Sequence, residues 1–289
     1  MADLVSFFAE PLGYQFMVRG LLISIMIGIS GGILGCVLIQ RRMALMGDAL
    51  AHSLLPGMGI AYLLFGAGMW SLFSGALMAG ILTAAGSSLI GRMTRLKEDT
   101  AFGTLFIIFF GTGVAIVSLA RSRVRIDLMH FLFGNILGIS SPDLWLAWGV
   151  TTVTLLLFAL FYRHIVLETF DPDFYRATGR NAWLVHAGLL LLVVLNLVAA
   201  LQAMGIVLAL GLFLLPAASA TLWFRHWGRT LAMSAVLAVL GSALGLFLSF
   251  HLSIPSGPAV VGVLGVFFLL SVLVGPQSGL FGGGSRRHT

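Results

Sequence analysis

Met43-Ala-Leu-Met-Gly-Asp48-Ala-Leu-Ala-His52-Ser-Leu-Leu-Pro56 opens a run that is otherwise uncharged as far as Phe65. A run of that length can cross a bilayer as a helix, and an ionisable group buried there is costly enough to mark a pathway or a site. A spacing of four puts Asp48 and His52 on one face. A carboxylate and an imidazole on one stripe make half of a site for a divalent metal.

The composition around this run sets the class. Hydrophobic residues make up 59% of the 289 and charged residues only 9%, against about a quarter in soluble domains, and the mean hydropathy is +1.07. This is a polytopic, all-α membrane protein. Nine apolar stretches are expected to span, at 16–39, 43–65, 69–90, 101–120, 144–162, 182–201, 203–224, 231–250 and 259–274. The last is short, and the two flanking Gln202 almost touch, so one of them could be re-entrant and eight spans is the alternative. The single cysteine, Cys36, lies in the first stretch and excludes a disulfide framework or a thiolate metal cluster. The net charge of +6 sits in short clusters between apolar stretches, which suits orientation in a membrane and not nucleic-acid binding.

Those clusters set an expected topology. Placing Arg41–Arg42, Arg92–Arg95–Lys97, Arg163–Arg176–Arg180, Arg225–Arg229 and Arg286–Arg287 inside puts twelve of the sixteen Lys and Arg residues in the cytoplasm. The N-terminus is then outside and the C-terminus cytoplasmic, with Asp48 and His52 near mid-membrane. Arg121, Arg123 and Arg125 break the rule locally, and residues 121–139 read as an interfacial segment at the outer face. Residues 1–275 form a single transmembrane domain, and the Gly-rich stretch 276–289 reads as a flexible cytoplasmic tail. The N-terminal segment has no basic n-region or cleavage site and is not read as a signal peptide.

Smaller features refine the picture. Gly28, Gly31, Gly32 and Gly35 stand at helix-contact spacing on the first span, where small residues let helices approach closely. Pro216 is expected to open the backbone of the seventh span. The longest polar interruption, 163–181, contains a short helix over Pro172–Thr178: Asp171 can cap it, Pro172 suits its first turn, Asp173 complements the dipole and Gly179 can end it. Phe170, Phe174 and Tyr175 would be exposed beside charges, which suits either docking into a partner's groove or lying in the headgroups. Glu98 and Asp99 beside Lys97 are accounted for by capping and the helix dipole. His186 and Asn196 read as cross-helix hydrogen-bonding groups, His130 and His251 as wetted groups at the outer face. The only lysine, Lys97, stands in no Gly-rich phosphate loop, so the chain has no route of that kind to ATP hydrolysis, and no Gly-x-Ser-x-Gly or His-Glu-x-x-His pattern suggests an enzyme.

Six motifs in order carry a resemblance: Arg41-Arg42-Met-Ala-Leu-Met-Gly47-Asp48-Ala-Leu-Ala-His52, Glu98-Asp99-Thr100-Ala-x-Gly103, Phe133-Gly134-x-Ile-Leu, Phe170-Asp171-Pro172-x6-Gly179, Gln202-x-x-Gly205 to Pro216-Ala217-Ala218, and Ile254-Pro255-Ser256-Gly257-Pro258. Over residues 12–275 the chain resembles the permease subunits of zinc, manganese and iron ABC importers. The resemblance implies a vitamin-B12-importer-like permease fold in the bacterial plasma membrane, a second permease chain (a homodimer), two cytoplasmic ATPase subunits and an extracytoplasmic metal-binding protein. It implies that Asp48 and His52 are metal ligands. It also implies that Phe170, Asp171, Pro172, Asp173, Phe174, Tyr175 and Gly179 form the coupling helix seated on the ATPase, with Glu98 and Asp99 as a further cytoplasmic contact. No cofactor is bound permanently; the transported Zn, Mn or Fe is cargo, and ATP belongs to the partner. A proton-coupled secondary transporter using Asp48 and His52 as a relay, and a permease for a metal chelate, are the alternatives.

Overall fold

The computed structural model describes residues 10–66, 68–119, 138–179 and 181–277. Among them are twelve helices: α1 (Gln15–Gln40), α2 (Met46–Ser53), α3 (Leu55–Phe65), α4 (Met69–Met93), α5 (Glu98–Leu119), α6 (Ser141–Leu160), α7 (Tyr162–Phe170), α8 (Pro172–Ala177), α9 (Ala182–Met204), α10 (Ile206–Trp223), α11 (Trp227–Leu252) and α12 (Ser256–Val274). With α2 and α3 taken as one broken span, nine helical segments in the described residues are long and apolar enough to cross a membrane. Most of the outer-face segment, 121–137 with its arginines and His130, and the tail 278–289 lie outside the described residues.

The expected close approach of glycine faces is what assembles the core. α1 packs between α10 and α11, which also pack on α12. On the face toward α11, a β-carbon at Gly28 would stand 3.2 Å from that of Ala238, and Gly32 accepts a 2.9 Å hydrogen bond from Ser234 Oγ through its carbonyl. On the face toward α10, a β-carbon at Gly31 would collide with the Phe213 ring and one at Gly35 with the Phe213 carbonyl. Lipid tails are as apolar as leucine, so helices in a membrane are held by this kind of contact and by interhelical hydrogen bonds. A second group, α3, α4 and α5, is joined to the first through α9 and α2.

Three helix ends decide where side chains point. At the end of α1, Arg42 takes the left-handed conformation (φ 59°), with Arg42 N–H bonded to the Ile39 carbonyl and Met43 N–H to the Leu38 carbonyl. This is a Schellman ending with arginine where glycine is usual. The stretch 43–65 is not one helix, as its composition suggested, but two. Pro56 has no N–H to offer the His52 carbonyl four residues back and its ring crowds that carbonyl, and the chain divides at Leu54. Between α9 and α10 a single residue, Gly205 (φ 82°), makes the reversal that the crowding at Gln202 foreshadowed. Both neighbours are of full spanning length, and Gln202 Nε2 donates to the Met69 carbonyl at 3.2 Å, tying the turn to the start of α4.

The glycine packing predicts unequal alanine substitutions. Gly35→Ala should lower thermal stability in detergent by about 2 kcal/mol or more, because a backbone carbonyl cannot yield as a side chain can. Gly149→Ala, where a β-carbon meets nothing within 4 Å, should be neutral or stabilising by up to about 1 kcal/mol through helix propensity. Melting curves of the two variants check the difference.

Candidate functional site

α2 carries Asp48 in its first turn and His52 in its last. Helical spacing brings the side chains together: His52 Nε2 lies 3.5 Å from Asp48 Oδ1. The opposite face of α2, with Met46, Leu50, Ala51 and Ser53, is buried. The pair is therefore turned outward, with the Asp48 side chain 55% exposed and that of His52 24%. His52 is held by two rings of α5, Phe106 and Phe110, at centroid distances of 5.7 and 5.6 Å. Those rings stand about 12–18 Å along a helix about 33 Å long, which sets the pair beside the middle of α5. No group of three or more His, Cys, Asp or Glu side chains arranged for a metal occurs among the described residues. One chain thus presents a carboxylate and an imidazole side by side, the carboxylate on an open surface.

The polar interruption after α6 contains two helices where one was expected. α7 continues α6 after a bend at Phe161, and α8 follows Asp171. The cap has the expected chemistry: Asp171 Oδ1 accepts from Phe174 N–H at 2.9 Å, Pro172 occupies the first turn, and Gly179 (φ 72°) takes the left-handed turn after the helix. Phe170 and Phe174 are exposed, with Phe170 edge-on to the Trp227 ring. Asp173 is exposed and pairs with Arg176. Tyr175 differs from the expectation. It is 3% exposed, and its hydroxyl lies 2.9 Å from His164 Nδ1, because helical spacing turns it back onto α7, away from Phe174.

A buried charge network went unread in the sequence. Arg41, just after α1, forms an ion pair with Glu168 of α7 and stands 2.5 Å from His186 Nδ1 of α9. His186 Nε2 in turn lies 2.7 Å from Glu98 Oε1 of α5, and Nδ1 lies 3.8 Å from Glu168 Oε1. Burial pulls the Arg41 guanidinium down to about 10, opposed by the charge of Glu98, so it remains a cation at neutral pH. His186 bonds across helices as its sequence context suggests. The sequence points to Arg41 as a topology residue and to Glu98 as a capping residue and cytoplasmic contact, and gives no signal for Glu168 or for the joining of the four. Asp99 stands beside Glu98 in the first turn of α5. Of the remaining candidates, Asn196 Nδ2 donates to Thr154 Oγ1 of α6 at 2.5 Å and His251 ends α11 beside the Phe250 ring.

The family model for the ABC 3 transport family matches residues 13–275. The chain belongs to this family, and its helical spans are those of an ABC transporter permease. It is 38% identical over 280 residues to the "Manganese transport system membrane protein MntC" of Halalkalibacterium halodurans, covering 97% of this chain and 94% of the relative. It is 34% identical over 275 residues to the "Chelated iron transport system membrane protein YfeD" of Yersinia pestis, covering 94% and 90%. Among solved structures, a chain of PsaBC from Streptococcus pneumoniae in complex with a Fab superposes with a TM-score of 0.82 at 31% identity, covering 95% of this chain and 97% of that one.

The network predicts a steep stability loss when one partner is removed. Glu168→Ala should cost about 3–5 kcal/mol by leaving Arg41 buried and unpaired, whereas the Arg41→Met/Glu168→Leu double variant should recover most of it. Thermal unfolding in detergent would show both.

Proposed function

We propose that this chain is the membrane permease of an ATP-driven importer that carries divalent transition-metal ions, Zn, Mn or Fe, into a bacterial cytoplasm. The observation that carries the reading is the Asp48–His52 pair, adjacent, open and two ligands short of a metal site. A two-fold pairing of chains across this face would bring two carboxylates and two imidazoles together. Such a mixed oxygen and nitrogen set suits Zn, Mn or Fe(II) and is poor for Cu(I). The manganese and iron named for the relatives support cargo of this class.

In this reading the chain lies in the plasma membrane as one permease domain to residue 275, its N-terminus outside and its basic end cytoplasmic. Two ATPase subunits supply the energy and an extracytoplasmic binding protein delivers the ion. Phe170 and Phe174, exposed around a well-capped α8, would seat on the ATPase. Asp171, Pro172, Asp173 and Gly179 shape that helix, and Tyr175 braces it from inside. Asp99 would add a contact nearby, while Glu98, bound to His186, would act by holding the start of α5.

Asp48→Asn and His52→Ala should each lower uptake of radiolabelled manganese or zinc by roughly tenfold or more in cells expressing the complete system, since losing a ligand costs at least as much as losing its outer-shell support. Uptake at the parental rate with normal expression would reject the assignment. Phe174→Ala should reduce uptake roughly fivefold or more, the effect of truncating a buried aromatic anchor at an interface. Tyr175→Phe should mainly cost about 1 kcal/mol of stability for its lost hydrogen bond. Parental transport by Phe174→Ala would separate α8 from the coupling role.

A further inference from the structure

Two cavities of contrasting chemistry meet at the basic end of the bundle. The first, about 740 Å³, is lined by Arg41, Arg42, Arg92 and Arg176 with Glu98 and Glu168. The second, about 410 Å³, lies between α4 and α9 against Ala84, Leu89, Leu190 and Val194. Both are bounded by Ser88, Arg92 and Trp183.

The two carboxylates of the first cavity are already engaged, Glu168 by Arg41 and Glu98 by His186, and Arg176 pairs with Asp173. Arg42 and Arg92 have no carboxylate partner among the described residues, so the positive charge of the cavity is uncompensated there. Arg92 is stacked over the Trp183 ring, 5.4 Å from its centroid, which fixes its planar fork where two parallel hydrogen bonds to a phosphate are possible. Thr169, also on the wall, has a buried hydroxyl with no hydrogen-bond partner among the described residues. The second cavity opens to the surroundings beside Leu89 and Leu191, both exposed. A divalent cation would be repelled by the arginines, and a free nucleotide or phosphate would leave the apolar groove unused.

We propose that the joined cavities are a binding site for an anionic phospholipid, with its phosphate between Arg42 and Arg92 and an acyl chain in the α4–α9 groove. The height fits: α4 ends and α9 begins here, and a tryptophan with a cluster of arginines marks the level of headgroups. The occupant would span from α4 and α9 to Thr169 and Pro172, joining the lipid-facing bundle to the start of α8. The site depends on membrane embedding and not on the identity of the cargo.

The test is native mass spectrometry of the full-length chain, released from mild detergent after incubation with equal amounts of phosphatidylglycerol and phosphatidylcholine. The parent protein should retain phosphatidylglycerol in preference. Arg92→Gln should cut that preference about fivefold, the value of one interfacial arginine, and Ala187→Phe, which fills the groove without altering charge, should reduce retention of both lipids. Millimolar inorganic phosphate should not displace the lipid. Equal retention of the two lipids by the parent overturns the proposal whether or not either variant folds. Displacement by phosphate overturns it in favour of a free-anion site, and an unchanged preference in folded Arg92→Gln overturns the assignment of the phosphate.

Discussion

Hydrocarbon gives helices no hydrophobic reason to associate, and this fold answers that constraint by bringing backbones into contact. Gly31 and Gly35 let α1 lie on the Phe213 ring and carbonyl of α10, while Gly28 and Gly32 receive Ala238 and Ser234 of α11. The start of α2 follows from this: α1, held between α10 and α11, sets where Arg41 and Arg42 stand, and α2 leaves from there with Asp48 and His52. A β-carbon at Gly35 would therefore displace more than one contact.

Much of this was legible in the sequence because it is encoded locally. Asp48 and His52 are four apart, and four apart on a helix is adjacent in space. Asp171, Pro172 and Gly179 are cap, first-turn and terminating residues whose roles depend only on the chain within a few positions. The glycine spacing on the first span also announced a packing face. What was not legible needs the tertiary fold. Arg41, Glu98, Glu168 and His186 come from four separate helices or helix ends, and no periodicity connects them. Tyr175 was misplaced because exposure was inferred from polar neighbours in sequence, when the rotation of one residue along α8 turns it inward. The break at Leu54 was written in Pro56, but an apolar run of spanning length outweighed it.

The buried network and the open ligand pair are opposites in energetic terms. Arg41 and Glu168 are withdrawn from water and paired within one chain, so they define how α1, α7 and α9 sit together. Asp48 and His52 are close to each other, more open, and joined by no third carboxylate, thiol or imidazole among the described residues. A charged group completed internally fixes structure, whereas one left incomplete at a surface awaits something from outside.

α2 is bounded by a left-handed arginine on one side and by a proline break on the other. Its eight residues are thus poorly welded to the long helices before and after it, and its orientation is governed by side-chain contact with α5, notably the two phenylalanines beside His52. The mechanical result is that both side chains ride on one small cylinder. A rotation of that cylinder would re-aim carboxylate and imidazole together, because both are fixed to the same eight residues.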